Sequence, residues 1–195
     1  MVGEQVLKQE YIVAKKKSAK PMLWISMISM VMFFAGLTSA YVISMNRDDW
    51  VSFDLPQSFY VSTILIVASS ITLFLSQRFL KQNKRQLSLI LLVVTLLLGI
   101  GFVWEQYAGF NQLKSIGLFF TGPESTVSTS FIIGITFMHV LHLFAGVVVL
   151  LVVIYNHFKY KYKSDDMLGF ELGAIFWHFV DLLWIYLFFF FSFIK

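Results

Sequence analysis

The chain has 195 residues, of which 58% are apolar or aromatic, 13% are charged and 22 are phenylalanine. Soluble proteins carry about 25% charged residues, so the composition excludes a soluble domain and indicates a polytopic membrane protein. The absence of cysteine excludes disulfides, thiolate metal sites, covalently attached c-type haem and a lipoprotein anchor.

Residues 1–21 form a basic segment carrying Lys8, Lys15, Lys16, Lys17 and Lys20. They resemble the start of a signal peptide, but the apolar run that follows is long enough to span a membrane and lacks a convincing small-residue cleavage site. Residues 22–195 form the transmembrane domain, read from runs free of Asp, Glu, Lys and Arg. A bilayer core of about 30 Å needs roughly 20 helical residues, which places helices near 22–45, 58–79, 87–109, 131–155 and 172–194. The runs lack the alternation of a transmembrane barrel. The expected fold is therefore an all-α bundle of five transmembrane helices, with a surface loop of about 20 residues after the third.

Charge sets the expected orientation. Twelve of the 15 cationic residues precede the first span or lie between spans two and three or four and five. Only Arg47, Lys114 and Lys195 fall on the other side. By the positive-inside rule the N-terminus is cytoplasmic. The net charge of +4 is then a topology signal rather than a nucleic-acid footprint, and it favours anionic lipid headgroups.

Ionisable groups within spans cost about 2.5–3.5 kcal/mol on insertion scales. Asp181 falls about 14 Å into span five from its cytoplasmic edge, with His178 three residues earlier on the same face. Span four carries His139 and His142, and His142 falls at about 18 Å, close to the depth of Asp181. If the two helices are neighbours, His142 and Asp181 are the expected cross-helix partners. The favoured reading of the cluster is an interhelical network that fixes packing or meets a lipid headgroup. A proton relay and a His–His–Asp metal site are the alternatives. Trp177 and Trp184 lie on or near the same stripe and read as packing or lipid contacts. Glu105, beside Trp104 and Tyr107, reads as a far-side interfacial acid, with a proton exit group as the alternative. Phe188 to Phe191 cover every face of their helix, which fits lipid contact. Ala35 with Ser39, and Gly36 with Ala40, make two small-xxx-small pairs in span one, and Ala145 and Gly146 act similarly in span four. They indicate close helix association without naming the partner. No nucleotide loop, nucleophile–base pair or paired carboxylates are found.

Four local strings, in order, resemble subunit III of the haem–copper oxidases of the cytochrome c oxidase type. Met32-Phe33-Phe34-Ala35-Gly36 with Ala40-Tyr41 is similar to the first helix of the short form. Gln106-Tyr107, Gly109-Phe110 and Leu113 followed by Gly117 resemble the third helix and loop of compact bacterial members. Phe137-Met138-His139-Val140-Leu141-His142 followed by Gly146 resembles the aromatic-x-His-x-x-His segment. Trp177-His178-Phe179-Val180-Asp181, with Trp184 and Leu187-Phe188, resembles the last helix. The resemblance implies a metal-free five-helix bundle in a bacterial inner membrane, with no catalytic centre of its own. It further implies direct packing on subunit I, association with subunit II and other oxidase subunits, and phospholipids held in a cleft. Haem and copper are then expected in subunits I and II, and support for stability and proton uptake from this chain. Membership of a larger respiratory supercomplex stays open, and no nucleic acid is expected. The chain departs from the pattern at Ser29-Met30, where many members have Ser-Glu, so the carboxylate associated with proton uptake is not carried over. The alternatives are subunit III of a quinol oxidase, a b-haem membrane anchor and a small transporter. The last is disfavoured by the lack of broken helices and internal repeats.

Overall fold

A computed structural model describes residues 2–51, 54–115, 117–118, 122, 125–162 and 167–194, with the side chains of 2–9 and 12 left aside. Lys163 and Lys195, used above for orientation, lie outside the described residues. The protein is all-α, with α1 at Val2–Ser44, α2 at Gln57–Lys81, α3 at Arg85–Ser115, α4 at Val127–Phe158 and α5 at Leu168–Phe193. All five contain stretches long and apolar enough to cross a membrane.

Two helices run well beyond the lengths read from sequence. The charge-free run that marks span one begins at Pro21, but α1 starts at Val2 and continues through that proline. Its lysines and glutamates are good helix formers, so the charge that ends a membrane span does not end a helix. With 43 residues α1 is about 65 Å long, roughly twice the thickness of a bilayer core. Pro21 donates no backbone hydrogen bond and crowds the carbonyl of Lys17. Beside it, Lys20 Nζ lies 2.7 Å from Glu171 Oε2 and ties α1 to the start of α5. α3 likewise runs on to Ser115 and α4 begins at Val127, so the connection after span three is shorter than expected.

Helices α2, α3, α4 and α5 pack in a ring, each against the next, and α1 lies outside along the seam between α4 and α5. α5 is the most buried of the five. Interior positions in α2 alternate three and four apart: Phe59, Ser62, Ile66, Ser69, Leu73, Ser76 and Leu80. α3 follows the same rule with Ser88, Leu92, Thr95, Gly99, Phe102, Gln106, Gly109 and Leu113. A repeat of 3.5 residues is the signature of left-handed packing at shallow crossing angles. Small and polar side chains at these positions let the two helices approach closely. Gln112 Nε2 donates to Ser58 Oγ at 3.1 Å and Gln106 Nε2 to Ser62 Oγ at 2.8 Å. Farther along, Thr72 and Thr95 hydroxyls meet at 2.8 Å, and Ser76 Oγ donates to the Ser88 carbonyl at 2.7 Å. The seam is thus hydrogen-bonded at four levels, two toward each end.

Three helices end alike. After α2, the Lys84 amide donates to the Phe79 carbonyl and Asn83 to Leu80, with Asn83 at φ 60°. After α4, Lys161 donates to Asn156 and Tyr160 to His157, with Tyr160 at φ 57°. Gly117, at φ 82°, closes α3 in the same way. These are left-handed caps in which glycine is the usual residue. Tyrosine in this conformation is costly, and the contact its ring makes is described below.

Candidate functional site

The polar groups that the sequence singles out in span five belong to one network between α5 and α2. Asp181 is 2% exposed. Its Oδ2 accepts from Ser70 Oγ at 2.6 Å and lies 3.3 Å from Ser69 Oγ, whose shorter bond, 2.8 Å, goes to the Ile66 carbonyl. Ser70 Oγ also lies 2.9 Å from His178 Nδ1. A serine hydroxyl has one proton. With that proton directed at Asp181, His178 carries the N–H and donates to Ser70. On the other side, the buried Trp177 Nε1 donates to Ser69 Oγ at 3.1 Å. Two turns along from Trp177, Trp184 Nε1 donates to Thr63 Oγ1 at 3.0 Å. Helical spacing places Trp177, His178, Asp181 and Trp184 on the same side of α5, and α2 answers with hydroxyls at each level.

The expected pairing of His142 with Asp181 does not form. His142 is half-buried, and its Nδ1 donates to the carbonyl of Met138 on its own helix at 2.7 Å. Its ring lies against Phe33 and Phe34 of α1. Depth arithmetic put the two residues at one height but could not say which side of α5 each neighbour takes. The side of Asp181 is α2. His139 is fully buried instead, among Trp184, Phe102 and Phe34, with ring centroids 5.2, 5.8 and 6.5 Å away. Neither of its ring nitrogens has a hydrogen-bond partner among the described residues. Asp181 Oδ1 is likewise unpartnered. Among the described residues no three His, Cys, Asp or Glu side chains converge in a group that could hold a metal ion. The arrangement can lock α5 to α2 in register and share a proton among His178, Ser70 and Asp181.

The small residues divide. Gly146 is buried, and a Cβ there would stand 3.4 Å from the Trp177 ring. Ala145 is exposed. Ala35, Gly36, Ser39 and Ala40 are all exposed, and a Cβ on Gly36 would meet nothing within 4 Å. Within this chain α1 packs through Met27, Phe34, Thr38 and Tyr41, and the small-residue pairs look away from the bundle. Ala35 also borders an apolar groove of about 310 Å³ between α1 and α5, with Phe179 and Tyr186 on the other wall. Glu105 is half-buried beside the exposed Trp104 and Tyr107. Of the four phenylalanines, Phe188 and Phe191 turn inward and Phe189 outward.

Sequence reading passed over two close approaches. A Cβ on Gly99 would stand 2.7 Å from Trp177 Cη2, and one on Gly109 2.7 Å from Phe59 Cε1. It also passed over Arg85 and His157, which join the start of α3 to the end of α4. The Arg85 guanidinium donates to the His157 carbonyl and, at 3.1 Å, to that of Tyr162. In return His157 Nε2 donates to the Arg85 carbonyl at 3.2 Å. The Tyr160 ring lies 4.2 Å from the guanidinium carbon, a contact that its left-handed backbone makes reachable. Next to it, burial raises the Tyr162 hydroxyl above its usual range, opposed by a hydrogen bond from Asn156. The available signal was two cations, Lys84 and Arg85, at the positive end of a helix, where anionic groups are favoured.

The family model for cytochrome c oxidase subunit III matches residues 1–194. Cytochrome c oxidase subunit 3 of Pyricularia grisea is 32% identical over 136 residues, 70% of this chain and 47% of that protein. The proteins of the same name from Hippopotamus amphibius and Pelomedusa subrufa are 28% and 30% identical over 128 residues, 66% of this chain and 47% of each of theirs. The chain spans about half the length of the curated relatives it matches. With five membrane-spanning helices and a family match over nearly its whole length, the chain belongs to the cytochrome c oxidase subunit III family.

Proposed function

We propose that this chain is the non-catalytic subunit III of a haem–copper terminal oxidase, of the aa3 type, in aerobic respiration. The observation that carries the proposal is the family match over residues 1–194. In this reading the chain packs directly on subunit I, and the haem and copper belong to subunits I and II. It holds structural phospholipids and keeps subunit I active and supplied with protons during turnover. Ser29-Met30 gives α1 no carboxylate at that position, so the contribution is mainly through lipids and stability. The exposed small-residue pairs of α1 are available to another chain. The Asp181 network fixes α5 against α2 and thereby the shape of the bundle. The N-terminus faces the cytoplasm of a bacterium, as the lysine distribution favours.

The test begins with mass spectrometry of what co-purifies with the tagged chain from gently solubilised membranes. Recovery of a haem–copper subunit I is expected. The chain alone, under conditions that keep other respiratory complexes whole, refutes the assembly. Deleting the chain should leave an oxidase that starts normally and loses activity during turnover. Steady activity without it refutes the stabilising role.

A further inference from the structure

The Asp181 network has a direction that locking two helices in register does not require. Asp181 is 2% exposed, and its Oδ1 has no partner among the described residues. The groups that touch the carboxyl are hydroxyls, Ser69 and Ser70 of α2. The ionisable groups on the other helices are engaged elsewhere. His139 and His142 of α4 lie against Trp184 and Phe34, and Glu105 of α3 stands beside the exposed Trp104. Lys20 of α1 is paired with Glu171, ten residues before Asp181 on α5. A carboxyl so placed in a span is costly as an anion, and groups of this kind recur in proton pathways.

One chain of hydrogen bonds leads out of the site. Ser70 Oγ lies 2.6 Å from Asp181 Oδ2 and 2.9 Å from His178 Nδ1. Ser70 and His178 are half-buried, and His178 Nε2 is not enclosed as both ring nitrogens of His139 are. Leu182, one turn on from His178, and Phe74, one turn on from Ser70, are exposed, so this side of the seam faces out of the bundle. The second hydroxyl leads nowhere. Ser69 Oγ gives its shorter bond, 2.8 Å, to the Ile66 carbonyl. Beyond it stands Trp177 Nε1, which donates and cannot accept.

We infer that Asp181 is a proton-exchange site, filled and emptied from outside the bundle through Ser70 and His178. A proton arriving at His178 Nε2 makes the ring an imidazolium. Its Nδ1 proton passes to Ser70 Oγ as the Ser70 hydroxyl proton passes to Asp181 Oδ2. His178 ends neutral with its N–H on Nε2, Ser70 donates to Nδ1, and the Asp181 carboxyl donates to Ser70. The network has gained one proton and lost the carboxylate charge, and the reverse sequence empties it. Only protons and hydrogen-bond directions change, so the register of α2 and α5 is the same in both states. The inference requires only the contact between α2 and α5, so it stands or falls apart from the oxidase reading.

The experiment is infrared spectroscopy of the full chain in lipid nanodiscs, moved from water to heavy water. A carboxylic-acid C=O band that is absent in Asp181→Asn should appear within the pH range in which the chain stays folded. Its deuterium shift should run well ahead of the loss of the amide II band of the helices, which waits on local opening. Ser70→Ala and His178→Phe should each slow the carboxyl exchange about a hundredfold, the usual contribution of a positioned proton-transfer group. Ser70→Thr should restore it, and His142→Ala should leave it unchanged. In the unsubstituted chain with isotope-labelled histidine, nuclear magnetic resonance should show the His178 N–H move from Nδ1 to Nε2 as Asp181 takes up its proton. The absence of an Asp181 band, or exchange no faster than that of the amides, overturns the site. Exchange indifferent to both variants, or a His178 tautomer that never changes, overturns the route.

Discussion

Gly99 is the most direct test of how the bundle closes. Its substitution by alanine would place a methyl group 2.7 Å from Cη2 and 3.0 Å from Cζ2 of Trp177. Both are ring carbons of an indole that is 1% exposed and anchored through Nε1 to Ser69 Oγ. Ser69 Oγ in turn lies 3.3 Å from Asp181 Oδ2. The ring cannot retreat without stretching that chain, and α3 cannot retreat without opening the hydrogen-bonded seam with α2. Overpacking of this kind costs about 1–3 kcal/mol. Alanine's better helix propensity returns at most about 1 kcal/mol. Gly36→Ala supplies the control, because a Cβ there meets nothing within 4 Å, so it should keep the propensity gain.

The assay is thermal unfolding of the purified chain in one mild detergent, read by tryptophan fluorescence and circular dichroism. Gly99→Ala should melt below the parent by up to about 8 °C, a net loss of up to about 2 kcal/mol at about 2–4 °C per kcal/mol for a chain of this size. Gly36→Ala should melt at or slightly above it. Trp177→Phe is destabilising by itself, since it leaves a gap and removes the donor to Ser69. It also removes the atoms that Gly99→Ala would strike. In that background Gly99→Ala should cost about 0.5 kcal/mol or less, giving a coupling of about 1–2 kcal/mol in the double-mutant cycle. A Gly99→Ala protein as stable as Gly36→Ala, or a cycle with no coupling, would refute the contact between α3 and α5.

Asp181→Ala should lower stability by about 1–3 kcal/mol, because the Ser70 hydroxyl loses a charged or strongly accepting partner. In a denaturation cycle it should be less than additive with Ser70→Ala and additive with His142→Ala; the opposite pattern would return Asp181 to α4. His139→Leu should leave stability unchanged or raise it by up to about 1–2 kcal/mol, since both imidazole nitrogens are buried without partners. A melting point several degrees lower would mean that His139 has a partner in solution. Arg85→Ala should cost about 1–3 kcal/mol by freeing the His157 and Tyr162 carbonyls. It should also speed proteolysis just after α4, and unchanged cleavage there would argue against the Arg85 link between α3 and α4.

What was legible in the sequence was whatever hydropathy controls. Runs such as Gln86 to Trp104 have one stable place in a bilayer, so the count of spans follows from them. The same criterion stops at the first charge and therefore lost the part of α1 before Pro21, where lysine and glutamate continue the helix. At the site, periodicity put Trp177, His178, Asp181 and Trp184 on one face, and the structure keeps them there. The error lay in the partner. Residue spacing along a helix gives height above the membrane edge, whereas the choice between α2 and α4 depends on the angular order of the bundle. Nothing in the spacing of His139 and His142 encodes that order.

The contacts that do encode it were hidden for a physical reason. Within a bilayer the lipid tails are as apolar as leucine, so burying leucine against another helix gains little and seams are chosen for close approach and hydrogen bonding. Ser62, Ser69 and Ser76 of α2 recur at seven residues and bond, in that order, Gln106 of α3, the Trp177 indole of α5 and Ser88 of α3. A hydropathy scan treats each as a small interruption of an apolar run. In the assembled bundle they form its most continuous line of contact, while large apolar residues such as Ile64, Leu97 and Leu141 face outward. By the same reasoning the exposed run Ala35, Gly36, Ser39 and Ala40 on α1 is unlike a lipid-facing surface. It has the small-residue chemistry that lets the α2–α3 seam close.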